Sequence, residues 1–415
     1  MKKTVKCGVF GLFRGAAHVR SILENNCDVV AVCDRDEKKL EDIKKNFGDK
    51  IAFYKDFDEF INHPGLEAVI LANNYDQHVP FAIKALEKDI HVLSECTSNS
   101  TMADGVKLVR AVEKSKAIYM VDENCAFMKY SYELNRVFKT GTLGKILYAE
   151  GEYNHPEMPG DDDVMRRYRP YPKHWRNFLP RSYYITHSLG PLMYITGAMP
   201  KRVTAMPVFA PNPSDSLMGL DVGDRAAIIT TLNDDDSVFR VTGCAAFGGH
   251  GLSFRLCGVK GQVENLRDGT DRILLTYNEW DTPEGVNTRS VYLPEWKDKD
   301  KALIEASTHG GGDFVATREF LNCIKEGKQP ILDVYFATTM ASVGILAWRS
   351  ILDGSKPYDI PDFRKEEDKI KYENDYLTPF YGPNGQEPTL PCCSHPDYKP
   401  NEKAVEEYLK IVEKK

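Results

Sequence analysis

Two short clusters of tyrosine and histidine carry side chains that suit proton transfer. One cluster contains Tyr184 and His187, and the other contains Tyr153 and His155. Both side-chain types donate or accept protons near neutral pH when their surroundings perturb them. Tyr153 and His155 are two residues apart, so on a strand they point to one face. We predict that all four are catalytic. The alternatives are that Tyr153 and His155 only line a pocket and that His187 only bonds backbone at a helix start.

A glycine-containing turn follows the first apolar run of the chain. It reads Gly11-Leu12-Phe13-Arg14-Gly15-Ala16 and leads into an amphipathic segment. Glycines in such a turn let the backbone approach a pyrophosphate that lies at the helix N-terminus. Phe13 stands where the dinucleotide fingerprint has its second glycine. We predict that the turn binds a dinucleotide through Gly11, Phe13, Arg14, Gly15 and Ala16.

An acidic residue, Asp34, ends the second apolar run at the distance expected for a carboxylate that binds the adenosine ribose. Arg35 could accept a 2′-phosphate, but the charge of Asp34 would repel that group. We therefore predict NAD as the cofactor rather than NADP, the alternative being that Asp34 merely ends its strand. Further cofactor contacts are predicted where later runs end, at Asn73, Asn74, His78, Glu95 and Glu123. For Glu123 the alternative is a simple carboxylate at a helix N-terminus.

The segment between residues 155 and 181 has an unusual basic composition. It contains Arg166, Arg167, Arg169, Lys173, Arg176 and Arg181. Guanidinium groups bind carboxylate, sulfonate and phosphate groups in a bidentate manner. We predict that the substrate is contacted by Arg166, Arg169, Trp175 and His309. The alternatives are a solvated loop balanced by Asp161, Asp162 and Asp163, and a loop histidine that precedes a helix cap at Asp313.

These side chains need a scaffold, and the hydrophobic pattern indicates one. Short apolar runs alternate with amphipathic segments up to about residue 122. This alternation is typical of βαβ units and predicts a doubly wound, parallel Rossmann domain with its ligand crevice at the carboxyl ends of the strands. Beyond it, period-2 strands bracketed by helices predict an α+β domain with an open, mostly antiparallel sheet. The fold class is α/β, with domains at 1–122 and 123–355 and a tail at 356–415 that wraps the surface.

Composition excludes several classes of protein. The chain of 415 residues has a net charge of -7, so it has no basic field that would attract nucleic acid. Its first residues, MKKTVKCGVFG, enter a strand-like run without a signal peptide, and the longest apolar runs are strand-sized. We therefore expect a cytoplasmic protein without a membrane partner. Cys392, Cys393 and His395 lack a partner pair at metal-site spacing, so no metal site is predicted.

Six segments in this order resemble the Gfo/Idh/MocA family, which includes glucose-fructose oxidoreductase and inositol dehydrogenase. They are GLFRGAAH, VAVCDRD, LANNYDQHVPFAIKALEKDIHVLSE, GTLGKILYAEGEY, ITHSLGPLMYITG and FLNCIKEGKQPILDVYFATTMASVGILAWRSI. The resemblance implies an NAD(P)-binding Rossmann domain, a second domain whose open sheet often mediates oligomers, and a sugar or cyclic polyol as substrate. We therefore expect a homo-oligomer, either a dimer or a tetramer.

Two positions depart from the plain dehydrogenases of this family. The lysine that follows the fifth strand in those enzymes is replaced by Cys96, and the aspartate four residues before the motif histidine is replaced by Tyr183. The altered set is similar to the NAD-dependent glycoside hydrolases of the same fold, such as bacterial α-N-acetylgalactosaminidases. Their motifs have counterparts here at Glu123-Asn124, Tyr153-Asn154-His155, Tyr184-Ile185-Thr186-His187 and Thr308-His309-Gly310-Gly311-Gly312-Asp313.

The resemblance implies hydride transfer at C3 of a sugar or glycoside. Oxidation at C3 acidifies the C2 proton, so a modest base can remove it and the C1 substituent can leave by elimination. Water addition and hydride return would make the cycle redox-neutral. Two other interpretations stay open: an ordinary sugar or inositol dehydrogenase, and a non-catalytic nucleotide-sensing partner protein.

Overall fold

The computed structural model describes residues 4–156, 162–211 and 222–413, with the side chains of residues 162–164 excepted. The chain divides by compactness into two units. The first unit comprises Met1–Arg136, Pro294–Thr339 and Asp362–Asn374. The second unit comprises Val137–Leu293, Met340–Pro361 and Asp375–Lys415. The predicted domains are continuous in sequence, whereas each compact unit includes segments that are far apart along the chain.

The first unit contains a six-stranded parallel sheet in the order β3-β2-β1-β4-β5-β6. The strands are β1 (Lys6–Phe10), β2 (Asp28–Cys33), β3 (Ala52–Tyr54), β4 (Ala68–Leu71), β5 (His91–Glu95) and β6 (Tyr119–Asp122). All residues of β4 and β6 are buried, as expected for inner or helix-covered strands of a parallel sheet. This order is that of a Rossmann domain, so the predicted fold of the N-terminal region is confirmed.

The first unit also contains helices, some of which begin at a polar side-chain cap. They are α1 (Leu12–Glu24), α2 (Glu37–Phe47), α3 (Phe57–Phe60), α4 (His78–Leu86), α5 (Met102–Lys114), α9 (Lys301–Ala306), α10 (Gly312–Glu326) and α12 (Glu366–Tyr372). The Asp36 side chain accepts a hydrogen bond from Lys38 N at the start of α2, and Thr101 accepts one from Asp104 N at the start of α5. Such caps satisfy backbone donors that have no partner inside the helix.

Helix α10 belongs to the first unit although it lies almost 200 residues beyond β6 in the chain. Asn25 Nδ2, just after α1, donates to Phe314 O at 3.2 Å. Val121 N in β6 donates to Leu332 O at 3.0 Å. An apolar cluster of Trp296, Ile304 and Phe314 is buried in the same unit. Because these contacts are non-local, hydrophobic periodicity could not assign α10 to the N-terminal domain.

The second unit contains a nine-stranded sheet in the order β14-β13-β12-β11-β7-β10-β9-β8-β15. The strands are β7 (Ile146–Asn154), β8 (Pro200–Phe209), β9 (Asp224–Asn233), β10 (Val238–Gly243), β11 (Gly251–Gly258), β12 (Gly261–Asn265), β13 (Ile273–Tyr277), β14 (Arg289–Tyr292) and β15 (Tyr358–Asp359). Strands β7 and β10 pair in parallel, and the other neighbouring strands of this sheet pair antiparallel. The predicted mostly antiparallel sheet is confirmed.

The remaining helices are α6 (Lys129–Lys139), α7 (Asp162–Tyr168), α8 (Thr186–Thr196), α11 (Val334–Leu352) and α13 (Glu402–Glu413). The division between the units falls within α6 and α11. The predicted tail supplies β15 and α13 to the second unit and α12 to the first. A search of the described residues finds no helix with both the length and the apolar character needed to cross a membrane.

Two glycines let α8 and the turn before it lie directly on the sheet of the second unit. A Cβ atom at Gly151 in β7 would lie 2.0 Å from the Ser188 carbonyl oxygen, and one at Gly243 in β10 would lie 2.2 Å from the Arg181 carbonyl oxygen. Ser188 Oγ also donates to Thr242 O at 2.7 Å. These close backbone contacts position the segment that carries Tyr184 and His187.

The close contact at Gly151 predicts a large loss of stability for Gly151→Ala. The added methyl group would overlap a backbone oxygen that cannot rotate away, so both elements must shift. We expect the free energy of unfolding to fall by about 2 kcal/mol or more. Urea unfolding followed by circular dichroism measures this change.

Gly249→Ala is the matched control, because a Cβ atom there meets no described atom within 4 Å. Its free energy of unfolding should stay within about 0.5 kcal/mol of the parent value. Equal effects of the two substitutions would contradict the role assigned to Gly151.

Candidate active site

The predicted dinucleotide turn lies between β1 and α1. Gly11 has a φ of 88°, and a Cβ atom there would lie 2.5 Å from the Ala72 carbonyl group. A Cβ atom at Gly15 would lie 2.6 Å from Val9 Cγ1. Gly11 therefore lets the turn approach the end of β4, and Gly15 lets α1 pack on β1. These are the roles expected of glycines in a dinucleotide-binding turn, so the turn fits the predicted cofactor.

Asp34 lies at the carboxyl end of β2, beside this turn. Its Oδ2 accepts a hydrogen bond from Leu12 N at 2.7 Å, and its Oδ1 accepts one from Asp36 N at 2.9 Å. Lys39 Nζ lies 3.5 Å from Oδ2. The carboxylate is thus held in place by the first residue of α1, at the strand end where a ribose hydroxyl would be bound.

The other predicted cofactor residues differ in exposure. Phe13 is 49% exposed, whereas His78 is buried. The ring nitrogens of His78 lie 3.0 Å from Thr97 O and 3.1 Å from Asn73 O. Burial lowers the pKa of His78. Within the first unit this imidazole links the segments after β4 and β5 through Asn73 and Thr97.

Arg14 contacts two carboxylates. Its Nε lies 2.9 Å from Glu95 Oε1, and its Nη1 and Nη2 donate to the two oxygens of Asp313 at 2.9 and 2.5 Å. Glu95 Oε1 also lies 2.7 Å from His18 Nε2, which in turn lies 3.2 Å from Asp122 Oδ2. The structure therefore places Arg14, predicted to bind cofactor, in an ion-pair network beneath the turn.

This network shifts the protonation of its members. Burial alone would raise the pKa of Glu95, but Arg14 and His18 hold it at about 2. Burial, together with Glu95 and Asp313, raises the pKa of Asp122 to about 7 despite the opposing charges of His18 and Arg14. Glu95 is thus a fixed negative charge at the end of β5.

Asp313 is fully buried in the first turn of α10 and is the centre of a second set of contacts. Besides Arg14, its oxygens accept hydrogen bonds from Asn124 Nδ2 at 2.8 Å and from the Thr308 hydroxyl. His309 Nδ1 lies 2.9 Å from Asp313 Oδ2. Burial alone would raise the pKa of Asp313, but His309 and Arg14 hold it well below its usual value.

The sequence pattern predicts Asp313 as a helix cap, whereas the structure places it in the first turn of α10, after the Gly311 cap. His309, predicted to contact substrate, has its Nδ1 directed to this carboxylate while the side chain is 47% exposed. The i, i+4 spacing of Arg14 and His18 on α1 was the available signal for a charged helix face. Arg14 and Asp313 are 299 residues apart in the sequence, so the pattern of α1 could not identify Asp313 as the partner of Arg14.

Glu123 is buried at the start of a short 3-10 helix. Its Oε1 accepts a hydrogen bond from Cys125 N, and its Oε2 accepts one from the Cys96 thiol, each at 3.1 Å. Burial, followed by the charge of Glu123, raises the pKa of Cys96 well above its usual value. The cysteine that replaces the family lysine is therefore held as a neutral hydrogen-bond donor.

The four predicted catalytic residues come together in the second unit. The Tyr153 ring lies 5.5 Å from His155, 5.7 Å from Tyr184 and 5.1 Å from His187, measured between centroids. Tyr184 and His187 are 5.3 Å apart. The backbone joins the same elements, since Cys244 N donates to Tyr184 O and Ala245 N donates to Tyr153 O. We call these four rings the ring cluster.

A fifth ring, which is not among the predicted site residues, extends the ring cluster. His250 lies 4.9 Å from His155 with the two planes almost perpendicular. Burial lowers the pKa of His155, and His250, Arg176 and His187 lower it further. His155 is therefore neutral at pH 7 and able to accept a proton. Only the register of β7 with β11 shows that residue 250 lies beside residue 155.

Much of the basic segment packs against the C-terminal helix α13. Arg166 Nε donates to Ile411 O at 3.1 Å, and Tyr408 Oη donates to Arg169 O at 2.9 Å. Arg169 is fully buried, whereas Trp175 is half-buried beneath the guanidinium of Arg176 at 4.3 Å. The predicted balancing carboxylate Asp161 and the side chains of Asp162 and Asp163 lie outside the described residues. The structure thus joins the Arg166 side chain and the Arg169 backbone carbonyl to α13.

Comparison with known proteins identifies two matching families. Residues 5–123 match the oxidoreductase family with an NAD-binding Rossmann fold, Gfo/Idh/MocA. Residues 223–369 match the C-terminal domain of glycosyl hydrolase 109. An α-N-acetylgalactosaminidase from Shewanella oneidensis is 22% identical over 393 residues, which cover 88% of this chain and 86% of that protein. The predicted resemblance and the NAD-binding domain are confirmed.

Solved structures with the same fold include sugar oxidoreductases. A levoglucosan dehydrogenase in complex with NADH and levoglucosan has a TM-score of 0.70 at 16% identity, covering 86% of this chain and 100% of that one. An oxidoreductase from Agrobacterium radiobacter in complex with NAD+, L-tartaric acid and magnesium has a TM-score of 0.66 at 16% identity, covering 86% and 98%. At this identity the likeness shows the fold alone.

The position of Asp34 predicts that it selects NAD over NADP. In Asp34→Ala the ribose hydroxyls would lose a charged acceptor, worth about tenfold or more in affinity. We expect weaker NAD binding and reduced discrimination against NADP, measured by calorimetric titration. The control is Asp36→Asn, which alters only the cap of α2. An unchanged NAD affinity in Asp34→Ala would remove Asp34 from the cofactor site.

Removing the charge of Asp313 should destabilise the protein. In Asp313→Asn the largely buried Arg14 guanidinium, 24% exposed, loses one of its two carboxylate partners among the described residues and keeps Glu95. Breaking such a pair costs about 3 kcal/mol. In the parent protein the folded-state pKa of Asp313 lies below the pKa of an unfolded aspartate, which is about 4. The ionised carboxylate therefore stabilises the fold above about pH 4, and this stabilisation is lost as the pH falls towards the folded-state pKa. Urea unfolding at several pH values should therefore show a shallower acid dependence in the variant.

Glu326→Gln is the control for this experiment, since Glu326 ends the same helix and pairs with Lys328 at an exposed site. Its free energy of unfolding should change by less than about 1 kcal/mol. A similarly small change in Asp313→Asn would contradict the structural role of the buried pair.

Proposed function

We propose that this chain, a member of the NAD-binding Gfo/Idh/MocA oxidoreductase family with a glycosyl hydrolase 109 C-terminal domain, cleaves a glycoside through transient oxidation at C3. The observation that carries the proposal is the ring cluster, in which Tyr153 contacts His155, Tyr184 and His187, all of them capable of proton transfer. The curated relative from Shewanella oneidensis, an α-N-acetylgalactosaminidase, supports a glycoside as substrate.

The chemistry divides between hydride transfer and proton transfer. NAD held by the glycine turn and by Asp34 would supply reversible hydride transfer at C3, so that the cycle needs no external oxidant. His187 or Tyr184 would remove the C2 proton, and the C1–O bond would break as its oxygen receives a proton. Water would then add at C1 while a proton returns to C2. Each such acid or base contributes roughly 10² to 10⁴ in rate.

Cys96 and Tyr183, the two positions that depart from the plain dehydrogenases, favour glycoside cleavage by elimination over simple sugar oxidation. Tyr183 is buried, and its ring lies 5.3 Å from Phe380. Burial raises its pKa above the usual tyrosine range. Cys96 donates to Glu123. Both replacement residues therefore serve packing and hydrogen bonding, which leaves Tyr184 and His187 as the acid and base candidates in the motif segment.

We also propose that the protein acts in the cytoplasm as a homo-oligomer, a dimer or tetramer. In the second unit, α8 covers one face of the sheet. On the strands, Met206 is 64% exposed and Leu232 is 37% exposed. Such apolar exposure on a sheet suits a second copy of the chain.

Replacing His187 by Ala or Tyr184 by Phe should lower kcat by roughly 10² or more with NAD affinity nearly unchanged, because proton transfer rather than cofactor binding is lost. Aryl glycosides assayed without added NAD provide the rate. A glycoside deuterated at C2 should exchange its label with solvent in the parent enzyme and lose this exchange in the variant that lacks the base.

Tyr171→Phe is the control, because this exposed tyrosine lies outside the ring cluster. Product that retains the whole C2 label would reject elimination. Accumulation of NADH in step with sugar oxidation would instead establish a plain dehydrogenase.

A further inference from the structure

The loop of residues 308–313 lies at the carboxyl edge of the parallel sheet in the first unit. Asn124, which follows β6, donates through Nδ2 to Asp313 Oδ1 at 2.8 Å. A Cβ atom at Gly312 would lie 2.4 Å from the Asn124 carbonyl oxygen, so glycine lets the loop come this close. The carboxyl ends of parallel strands form the edge at which a Rossmann domain binds its dinucleotide. The loop therefore borders the cofactor crevice of this unit.

His309 is held beside the dinucleotide turn by a shared carboxylate oxygen. His309 Nδ1 and Arg14 Nη1 each lie 2.9 Å from Asp313 Oδ2. Arg14 belongs to the first turn of α1, and Asp313 belongs to the first turn of α10. The N-termini of these two helices are therefore neighbours, and His309 lies next to both.

The imidazole of His309 is anchored through one nitrogen. Among the described residues, Nδ1 is the only atom of this ring with a hydrogen-bond partner, and the side chain is 47% exposed. The Asp313 carboxylate accepts from Nδ1, which leaves Nε2 for a ligand. An anion at Nε2 would favour the imidazolium, whose two N–H groups then donate to Asp313 and to the anion.

His309 also has a backbone conformation that side chains rarely adopt. Its φ is 52°, and Gly310 and Gly311 follow with φ values of 57° and 93°. Glycine adopts such angles without steric cost, whereas a histidine does not. A further glycine would therefore satisfy the backbone at position 309. A histidine in this conformation indicates that the imidazole itself is used.

The two neighbouring helix N-termini favour an anion. Helix α1 has 13 residues and α10 has 15, and the N-terminus of a helix has a partial positive charge. Arg14 directs Nε to Glu95 and both Nη atoms to Asp313, so its own charge is offset by carboxylates. His309 adds a donor that an anion at these N-termini can use. In a Rossmann domain the anion at the N-terminus of the first helix is the cofactor pyrophosphate.

We propose that His309 binds a phosphate group of the NAD pyrophosphate through Nε2 while Asp313 holds the ring through Nδ1. His309 then recognises the cofactor, whereas the sequence pattern predicts a substrate contact. The inference rests on the NAD-binding domain and not on glycoside cleavage.

Equilibrium titration of the full-length protein, stripped of nucleotide, tests this contact without requiring turnover. The probes are NAD, ADP-ribose, which keeps the pyrophosphate but lacks nicotinamide, and adenosine, which lacks both. His309→Gly should weaken binding of NAD and of ADP-ribose by the same factor of about tenfold or more, as the loss of a charged hydrogen bond implies. Binding of adenosine, followed by saturation-transfer NMR, should stay unchanged. His309→Lys should retain part of the ADP-ribose affinity, because a cation stays at this position.

Asn26→Gly is the matched control for the backbone. Asn26 is exposed, has a φ of 55° and lies beyond the C-terminal end of α1, away from the dinucleotide turn. Like His309→Gly, this substitution places glycine at a positive φ, so both relieve the same constraint. It should leave the affinities for all three probes unchanged. Thermal unfolding verifies that each variant is folded.

An unchanged affinity of His309→Gly for ADP-ribose would overturn the phosphate contact. A loss confined to NAD would also overturn it, since His309 would then act on the nicotinamide half. An equal loss for adenosine would do so too, because it would indicate a general change of the turn. A loss that depends on the pyrophosphate, in a protein that cleaves no aryl glycoside, would support the role of His309 and reject the proposed cleavage.

Discussion

The buried carboxylate of Asp313 holds the dinucleotide turn through Arg14, and the charged interior of the first unit depends on this pair. Moving two charges out of water is costly, and only a complete set of hydrogen bonds offsets that cost. The bidentate geometry with Arg14 and the donors from Asn124 and Thr308 provide such a set. Arg14 also pairs with Glu95 at the end of β5, so one arginine stabilises both the dinucleotide turn and this strand end.

In the second unit, the position of the ring cluster depends on close packing of backbone segments and not on an ion pair. Two glycines, Gly151 and Gly243, let the segment before and within α8 meet the backbone of the sheet. That approach brings Tyr184 and His187 to the carboxyl end of β7, where Tyr153 lies. Side chains of modest reach can form the ring cluster only because the backbones are this close.

The two departures from the family pattern are Cys96 in place of a lysine and Tyr183 in place of an aspartate. Both replace a charged side chain with a neutral one. A lysine at position 96 would bring a charge beside Glu123, whereas the Cys96 thiol donates a neutral hydrogen bond. Tyr183 directs its ring into the core beside Phe380. Proton-transfer capacity is then concentrated in the tyrosines and histidines of the ring cluster. The basic segment follows a similar division, with Arg169 buried and Arg176 stacked over Trp175.

The sequence by itself determined the features that depend on local pattern. Alternating apolar runs predicted the parallel sheet, and strand ends located Gly11 and Asp34, because periodicity and turn chemistry act over a few residues. Period 2 also placed Tyr153 and His155 on one face. Tertiary structure alone decided the partnership of Arg14 with Asp313, 299 residues away, and the placement of His250 opposite His155. Such contacts arise from helix packing and strand register. They join segments that are distant in the sequence, so local hydrophobic periodicity does not indicate them.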